Sequence, residues 1–156
     1  MRTKQPTSRT CFCCGRENDY SLRMTWYNDP DAGKVRCMVT VPEHYNGYPG
    51  IVHGGVVAAM LDETAGRAIL LDGDFDNFMV TLKMEITYRK PTPTEVPLEI
   101  TGWVLRKSAE RAHVAGEIRL PDGTVSAECT EVVVRPPKEI MDQWEPERAF
   151  WKIPDD

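Results

Sequence analysis

Strict alternation of apolar and polar residues dominates the second half of the chain. FMVTLKMEITYRK, 78–90, sets Val80, Leu82, Met84, Ile86 and Tyr88 on one face and Thr81, Lys83, Glu85 and Thr87 on the other. That period of two predicts a long, half-buried strand. LEITGWVLRKSA, from Leu98, predicts another, and RAHVAGEIRL with TVSAECTEVVVR predicts a hairpin around Pro121-Asp122-Gly123. Upstream, SLRMTWYNDPDAGKVRCMVTV reads as two strands joined by a turn over 28–33. The period changes between these groups. HGGVVAAMLDETAGRAILL, from His53 to Leu71, is apolar almost all round, which predicts a buried helix of about five turns. EHYNGYPGI, GDFDN and PTPTEVP are breaks, residues 1–10 read as a disordered arm, and the tail from Pro136 predicts a short helix, KEIMDQW, before an aromatic AFWKI. Strands, one helix, then several long strands predict an α+β fold, with one long central helix wrapped by a curved antiparallel sheet. The expected organisation is an arm over 1–20, the main domain over 21–135 and a C-terminal short helix and tail over 136–156.

The length, 156 residues, suits a single core. A net charge of -5 argues against a nucleic-acid partner, which needs a basic footprint. MRTKQPTSRT has no apolar secretory core, and no stretch is apolar enough to span a membrane. The expectation is a soluble, cytoplasmic protein. Its five cysteines are expected to be mostly reduced thiols.

The helix carries the candidate chemistry. Carboxylates are costly on a buried helix unless paired or used. Glu63 has Arg67 four residues on, a ready ion pair, whereas Asp62 has only Ala58, Ala59, Ala65 and Gly66 around it. Asp62 is therefore the candidate for general base or nucleophile, or else it accepts a hydrogen bond from elsewhere in the fold. His53-Gly54-Gly55 sits where the helix begins. The first N–H groups of a helix lack internal partners and carry its positive end, so this is a candidate oxyanion or phosphate site. A glycine-rich helix entry capped by His53 is the alternative.

Asn46, Gly50-Ile51-Val52, His53-Gly54-Gly55, Asp62-Glu63 with Gly66, and the later strand VTLKMEITYRKP resemble the hotdog-fold acyl-CoA thioesterases of the PaaI-like group, within the 4-hydroxybenzoyl-CoA thioesterase superfamily. The resemblance runs from about Ser21 to Arg135. It implies that Asp62 is the catalytic acid, that the Gly54 N–H, with Gly55 beside it, polarises the thioester carbonyl, and that His53 orders the loop. It further implies that Asn46 contacts the carbonyl or the attacking water and that Thr81 holds the water, although strict alternation puts Thr81 on the polar face of its strand. Arg89, Lys90, Arg106 and Lys107, at strand ends, are the candidates for holding coenzyme A phosphates. The implied protein hydrolyses acyl-CoA without a separate cofactor. It is a homodimer or dimer of dimers with sites at the subunit interface, because eight residues of helix put Gly54 and Asp62 roughly 12 Å apart. A non-catalytic acyl-CoA-binding protein and a hotdog hydratase or dehydratase are the competing readings.

Cys11, Cys13 and Cys14 are too few and too crowded for a closed zinc site unless Cys37 or His44 joins them. The expectation is a buried, metal-free segment. His113 is expected to be a sheet residue, and Trp103 and Tyr88 to be core or interface.

Overall fold

The computed structural model describes residues 2–156. Among the described residues nine strands form: β1 (Thr3–Lys4), β2 (Trp26–Asp29), β3 (Lys34–Thr40), β4 (Asn46–Tyr48), β5 (Ile51–Val52), β6 (Val80–Tyr88), β7 (Pro97–Lys107), β8 (Arg111–Arg119) and β9 (Val125–Val134). Seven of them make one antiparallel sheet in the order β1-β2-β3-β7-β8-β9-β6, while β4 and β5 pair as a small ribbon beside it. The expected strands and hairpins of the main sheet form.

The helix departs from the expected five turns. α1 spans Gly54–Gly66, 13 residues, and continues only as a 3-10 turn over Arg67–Leu70. Gly66 is a poor helix former, and helix ends commonly tighten this way. A second helical segment follows the sheet, α2 (Lys138–Trp144) with a 3-10 stretch over Glu145–Phe150. Nor is α1 buried all round. Val57, Met60, Leu61, Thr64 and Ala65 are buried, a spacing of three and four that defines one face. Each large apolar side chain buried there stabilises by about 1.5–3 kcal/mol. The buried face lies on β7, β8 and β9. Gly102 permits the close approach, since a Cβ there would stand 2.5 Å from the Thr64 carbonyl oxygen. The Trp26 indole N–H donates to Thr64 Oγ1 at 2.9 Å and fixes the helix against β2.

Two further expectations are corrected. Residues 2–10 are not a disordered arm. Thr3 and Lys4 pair with β2, and Gln5 is fully buried, donating to Asn28 Oδ1 at 2.7 Å and to the Arg67 carbonyl at 3.1 Å. The arm is polar because it is tied down by hydrogen bonds instead of apolar packing. β6 is not half-buried but an edge strand, with Leu82 61 % exposed and Tyr88 54 % exposed. Its alternation is also interrupted. Thr81 pairs with Val133 and Lys83 with Val132, so Leu82 is the extra residue of a bulge.

Candidate active site

The N-terminus of α1 is built from backbone. His53 caps it, its Nδ1 accepting from the Gly55 N–H at 2.9 Å while its carbonyl accepts from Val56 and Val57. The Gly55 donor is therefore occupied. The Gly54 N–H has no hydrogen-bond partner among the described residues. Tyr88, on the edge strand, donates its hydroxyl to the Gly54 carbonyl at 2.7 Å. A cavity of about 430 Å³ opens here, lined by Tyr48, His53, Gly54, Val57, Tyr88 and Lys90 among others. An unpaired N–H at the positive end of a helix, facing a cavity, can hold a carbonyl oxygen as it gains charge.

The middle of α1 is built from side chains. Asp62 Oδ1 accepts from Thr81 Oγ1 at 2.6 Å, and Oδ2 has no partner among the described residues. The bulge makes this contact possible. Unbroken alternation would turn Thr81 away, but the extra residue brings it onto the same face as Met84 and Ile86, opposite buried Val133, Glu131 and Cys129. Here a second cavity, of about 360 Å³, is walled by Asp62, Glu63, Phe78, Met79, Thr81 and Trp151 with their neighbours. Glu63 pairs with Arg67 at 2.9 Å as expected. Burial pushes the Glu63 carboxyl above its usual value while Arg67 opposes that shift. Arg67, only 4 % exposed, stacks on Trp26 at 3.9 Å and donates to the Pro6 carbonyl at 2.8 Å.

Sequence reasoning overlooked Glu131. It is 2 % exposed, its Oε1 accepts weakly from the Cys129 thiol at 3.7 Å, and its Oε2 has no partner among the described residues. Burial, reinforced by the nearby Asp62 charge, raises its pKa to about 9. It therefore holds its proton at neutral pH. The signal was available, because alternation in AECTEVV puts Glu131 on the face of Ala127, Cys129 and Val133.

The remaining candidates scatter. Asn46 starts β4, and its amide donates to Glu43 Oε1 at 2.7 Å. Lys90 reaches the Gly54 cavity. Arg89 is exposed and pairs with Glu128 at 2.6 Å. Arg106 lies beside His113 at 3.1 Å. Lys107 donates to the Ile69 carbonyl and to Asp72, both at 3.2 Å, near the far end of the helix. The structure thus brings Gly54, His53 and Lys90 together in one place and Asp62 and Thr81 in another. Neither Cys37 nor His44 joins the N-terminal cysteines in a metal-capable group among the described residues. Among the described residues, the metal-capable atoms of Cys11, Cys14 and Glu63 lie within 4.8 Å of one another, but the Arg67 guanidinium already contacts two of the three, Glu63 and Cys14.

With this geometry in hand, the chain can be set beside known proteins. The thioesterase superfamily profile matches residues 49–127, which include both cavities' helix and the edge strand. Acyl-coenzyme A thioesterase THEM4 of Rattus norvegicus is 25 % identical over 111 residues, covering 70 % of this chain and 46 % of the relative. The chain thus spans less than half the length of that relative. Among solved structures, thioesterase superfamily protein RHA08564 superposes with a TM-score of 0.73 at 33 % identity, over 81 % of this chain and 61 % of that one. A thioesterase protein from Streptococcus pneumoniae TIGR4, solved with coenzyme A, superposes with a TM-score of 0.59 at 22 % identity, over 65 % and 77 %. The antiparallel sheet packed on α1 is the hotdog arrangement of these structures. Among the described residues, no helix is long and apolar enough to cross a membrane. The chain belongs to the thioesterase superfamily.

Proposed function

We propose that the protein is an acyl-CoA thioesterase whose active site is completed across a two-fold dimer. The observation that carries this reading is the separation of the two cavities. Gly54 lines one and Asp62 the other, with no lining residue in common. A single thioester carbonyl cannot touch both groups of one helix, since they stand roughly 12 Å apart along its axis. A second copy of α1 running alongside brings its Asp62 next to the first copy's Gly54, and the two-fold axis makes two such sites at once. The exposed edge of β6 and the small residues Ala58 and Ala59 on the half-exposed side of α1 suit that approach.

In this reading the Gly54 N–H holds the thioester oxygen as negative charge develops on it. Asp62 either removes a proton from water, which attacks the carbonyl carbon, or attacks it directly through a carboxylate oxygen. The first route expels the coenzyme A thiolate and gives the free acid at once. The second expels the thiolate to leave an anhydride on Asp62, which a water then hydrolyses to the free acid and Asp62. Thr81 orients Asp62, and Tyr88 fixes the backbone at Gly54. Lys90 is the best placed of the basic candidates for a coenzyme A phosphate, and the coenzyme A bound to the Streptococcus pneumoniae neighbour supports that ligand class. The chemistry needs no separate cofactor. Five unpaired thiols suit a reducing compartment such as the cytoplasm.

The test is a screen of short, long and aromatic acyl-CoAs, read with a thiol-detecting dye. Release of coenzyme A by the wild type, and its loss in Asp62→Asn, supports the reading. Tight acyl-CoA binding without release would make the protein a non-catalytic binder. Addition of water to an enoyl-CoA, with the thioester intact, would make it a hydratase.

A further inference from the structure

The N-terminal thiols are not used by the proposed chemistry, yet their arrangement is specific. Cys11 and Cys14 are spaced as Cys-x-x-Cys and lie on one turn, closed by the Gly15 N–H donating to the Cys11 carbonyl at 2.8 Å. Their sulfurs lie within 4.8 Å of each other, and two residues on one such turn keep their α-carbons in the range a disulfide requires. The environments of the two thiols differ. Cys11 is half-buried, and its Sγ accepts from the Cys13 backbone N–H at 3.3 Å. Cys14 is buried, with Arg67 Nη2 at 3.5 Å and Ser8 Oγ at 3.7 Å. Cys13 turns away, its thiol donating to the Ala59 carbonyl at 3.5 Å.

We propose that Cys11 and Cys14 are a redox-active pair that forms a reversible disulfide, with Cys11 the attacking thiol and Cys14 the resolving one. The neighbouring Cys13 and Cys14 groups, the Cys13 backbone N–H among them, hold the Cys11 thiol well below the usual thiol range, while the Cys11 thiolate and burial hold Cys13 and Cys14 above it. The reactive form of a cysteine is its thiolate. With a peroxide as oxidant, the Cys11 thiolate attacks one peroxide oxygen, the O–O bond breaks, and Cys11 becomes a sulfenic acid as hydroxide leaves. Cys14 sulfur then attacks Cys11 sulfur, the S–O bond breaks, and water carries off the Cys14 proton. The pair has lost two electrons and two protons, which a small dithiol restores by exchange. Oxidation acts beside the catalytic helix, because Cys14 contacts Arg67 and Arg67 holds Glu63, the neighbour of Asp62. The redox chemistry itself does not depend on thioester hydrolysis.

The test treats the reduced full chain with hydrogen peroxide, then maps its thiols by alkylation and mass spectrometry. Two of the five thiols should disappear, with a loss of about 2 Da and a Cys11–Cys14 cross-link, and dithiothreitol should restore both. Before oxidation, Cys11 should alkylate at least roughly tenfold faster at pH 7 than Cys37 or Cys129. Cys14→Ser should stop at a sulfenic acid on Cys11 that dimedone traps, and Cys13→Ser should still form the disulfide. A cross-link through Cys13, a Cys11 that alkylates no faster than Cys37, or overoxidation of Cys11 with Cys14 still free in the wild type would each overturn the proposal. Stoichiometric zinc held by Cys11 and Cys14 in the purified protein would overturn it too. The thioesterase reading would survive any of these results, since its screen is separate.

Discussion

The two ends of α1's proposed catalytic stretch offer opposite kinds of group. At Gly54 the proposed working group is a backbone N–H, fixed by the helix itself and steadied by His53 and Tyr88. Its chemistry cannot be removed by trimming a side chain. At Asp62 the proposed working group is a side chain on a half-buried face, and its contact depends on a strand bulge and a threonine. One end offers the positive end of a helix dipole, and the other offers a carboxylate side chain. The proposed hydrolysis needs both, and within one chain they open into different cavities. In the proposed reading, the division means that a single chain carries two half-sites.

The largest predicted effect falls on the side-chain half. Asp62→Asn should lower kcat on the order of a hundredfold or more while leaving the fold intact, as for loss of a general base. Steady-state kinetics with far-ultraviolet circular dichroism checks both parts, and unchanged turnover would remove Asp62 from the mechanism. Thr81→Ala should cost less, roughly tenfold in kcat, because one hydrogen bond to a charged group is worth about 1.5–3 kcal/mol and some of it returns through water. A comparable loss in KM alone would mean that Thr81 binds substrate and does not orient Asp62. On the backbone half, Lys90→Ala should raise KM severalfold with little change in kcat, and that rise should shrink at high salt, where exposed charge contacts are screened. A KM indifferent to both changes would leave the phosphates to other residues.

The smallest effect is on stability, and its sign follows from Glu131. Its folded pKa is about 9, above the ordinary carboxylate value, so between roughly pH 5 and 9 the folded chain holds a proton that the unfolded chain releases. That contribution is fully present at acid pH and is lost as pH rises toward 9. Glu131→Gln, which is neutral at every pH, should therefore flatten the decline of Tm with pH. At pH 8 it should be more stable than the wild type by roughly 3 °C or more, the size of about 1 kcal/mol in a chain this long. Equal pH slopes for the two proteins would mean that Glu131 is ionised in the fold.

Much of this was legible in the sequence, for identifiable reasons. Local patterns marked the main strands and the Glu63–Arg67 pair because alternation and i,i+4 spacing are properties of short stretches. His53-Gly54-Gly55 was legible for the same reason, since a helix start is local. Three features were not. The Asp62–Thr81 contact depends on the Leu82 bulge, and a single inserted residue leaves no mark on an alternating pattern while reversing which face Thr81 occupies. The ordered N-terminal arm depends on hydrogen bonds from Gln5 to Asn28 and from Arg67 to Pro6, contacts more than twenty and sixty residues apart respectively. The scattering of Arg89, Arg106 and Lys107 onto Glu128, His113 and the Ile69 carbonyl follows from strand register, which charge alone does not encode.

The central claim is that Gly54 of one protomer works with Asp62 of another, and subunit mixing tests it most directly. Asp62→Ala removes one half-site. Gly54→Pro removes the other cleanly. Position 54 is the first residue of the helix, where proline is well tolerated and lacks only the N–H. His53 before it is already extended in ψ, and a Cβ at position 54 meets Tyr88 no closer than 3.7 Å. Each variant alone should be inactive but folded and dimeric by size exclusion. Produced together in equal amounts, about half of the dimers are mixed, and each mixed dimer has one site with both defects and one with neither. Activity should then recover to roughly a quarter of the wild-type value. Well-folded mixed dimers with no recovered activity would contradict the shared site, and Gly54 and Asp62 would have to act on different steps.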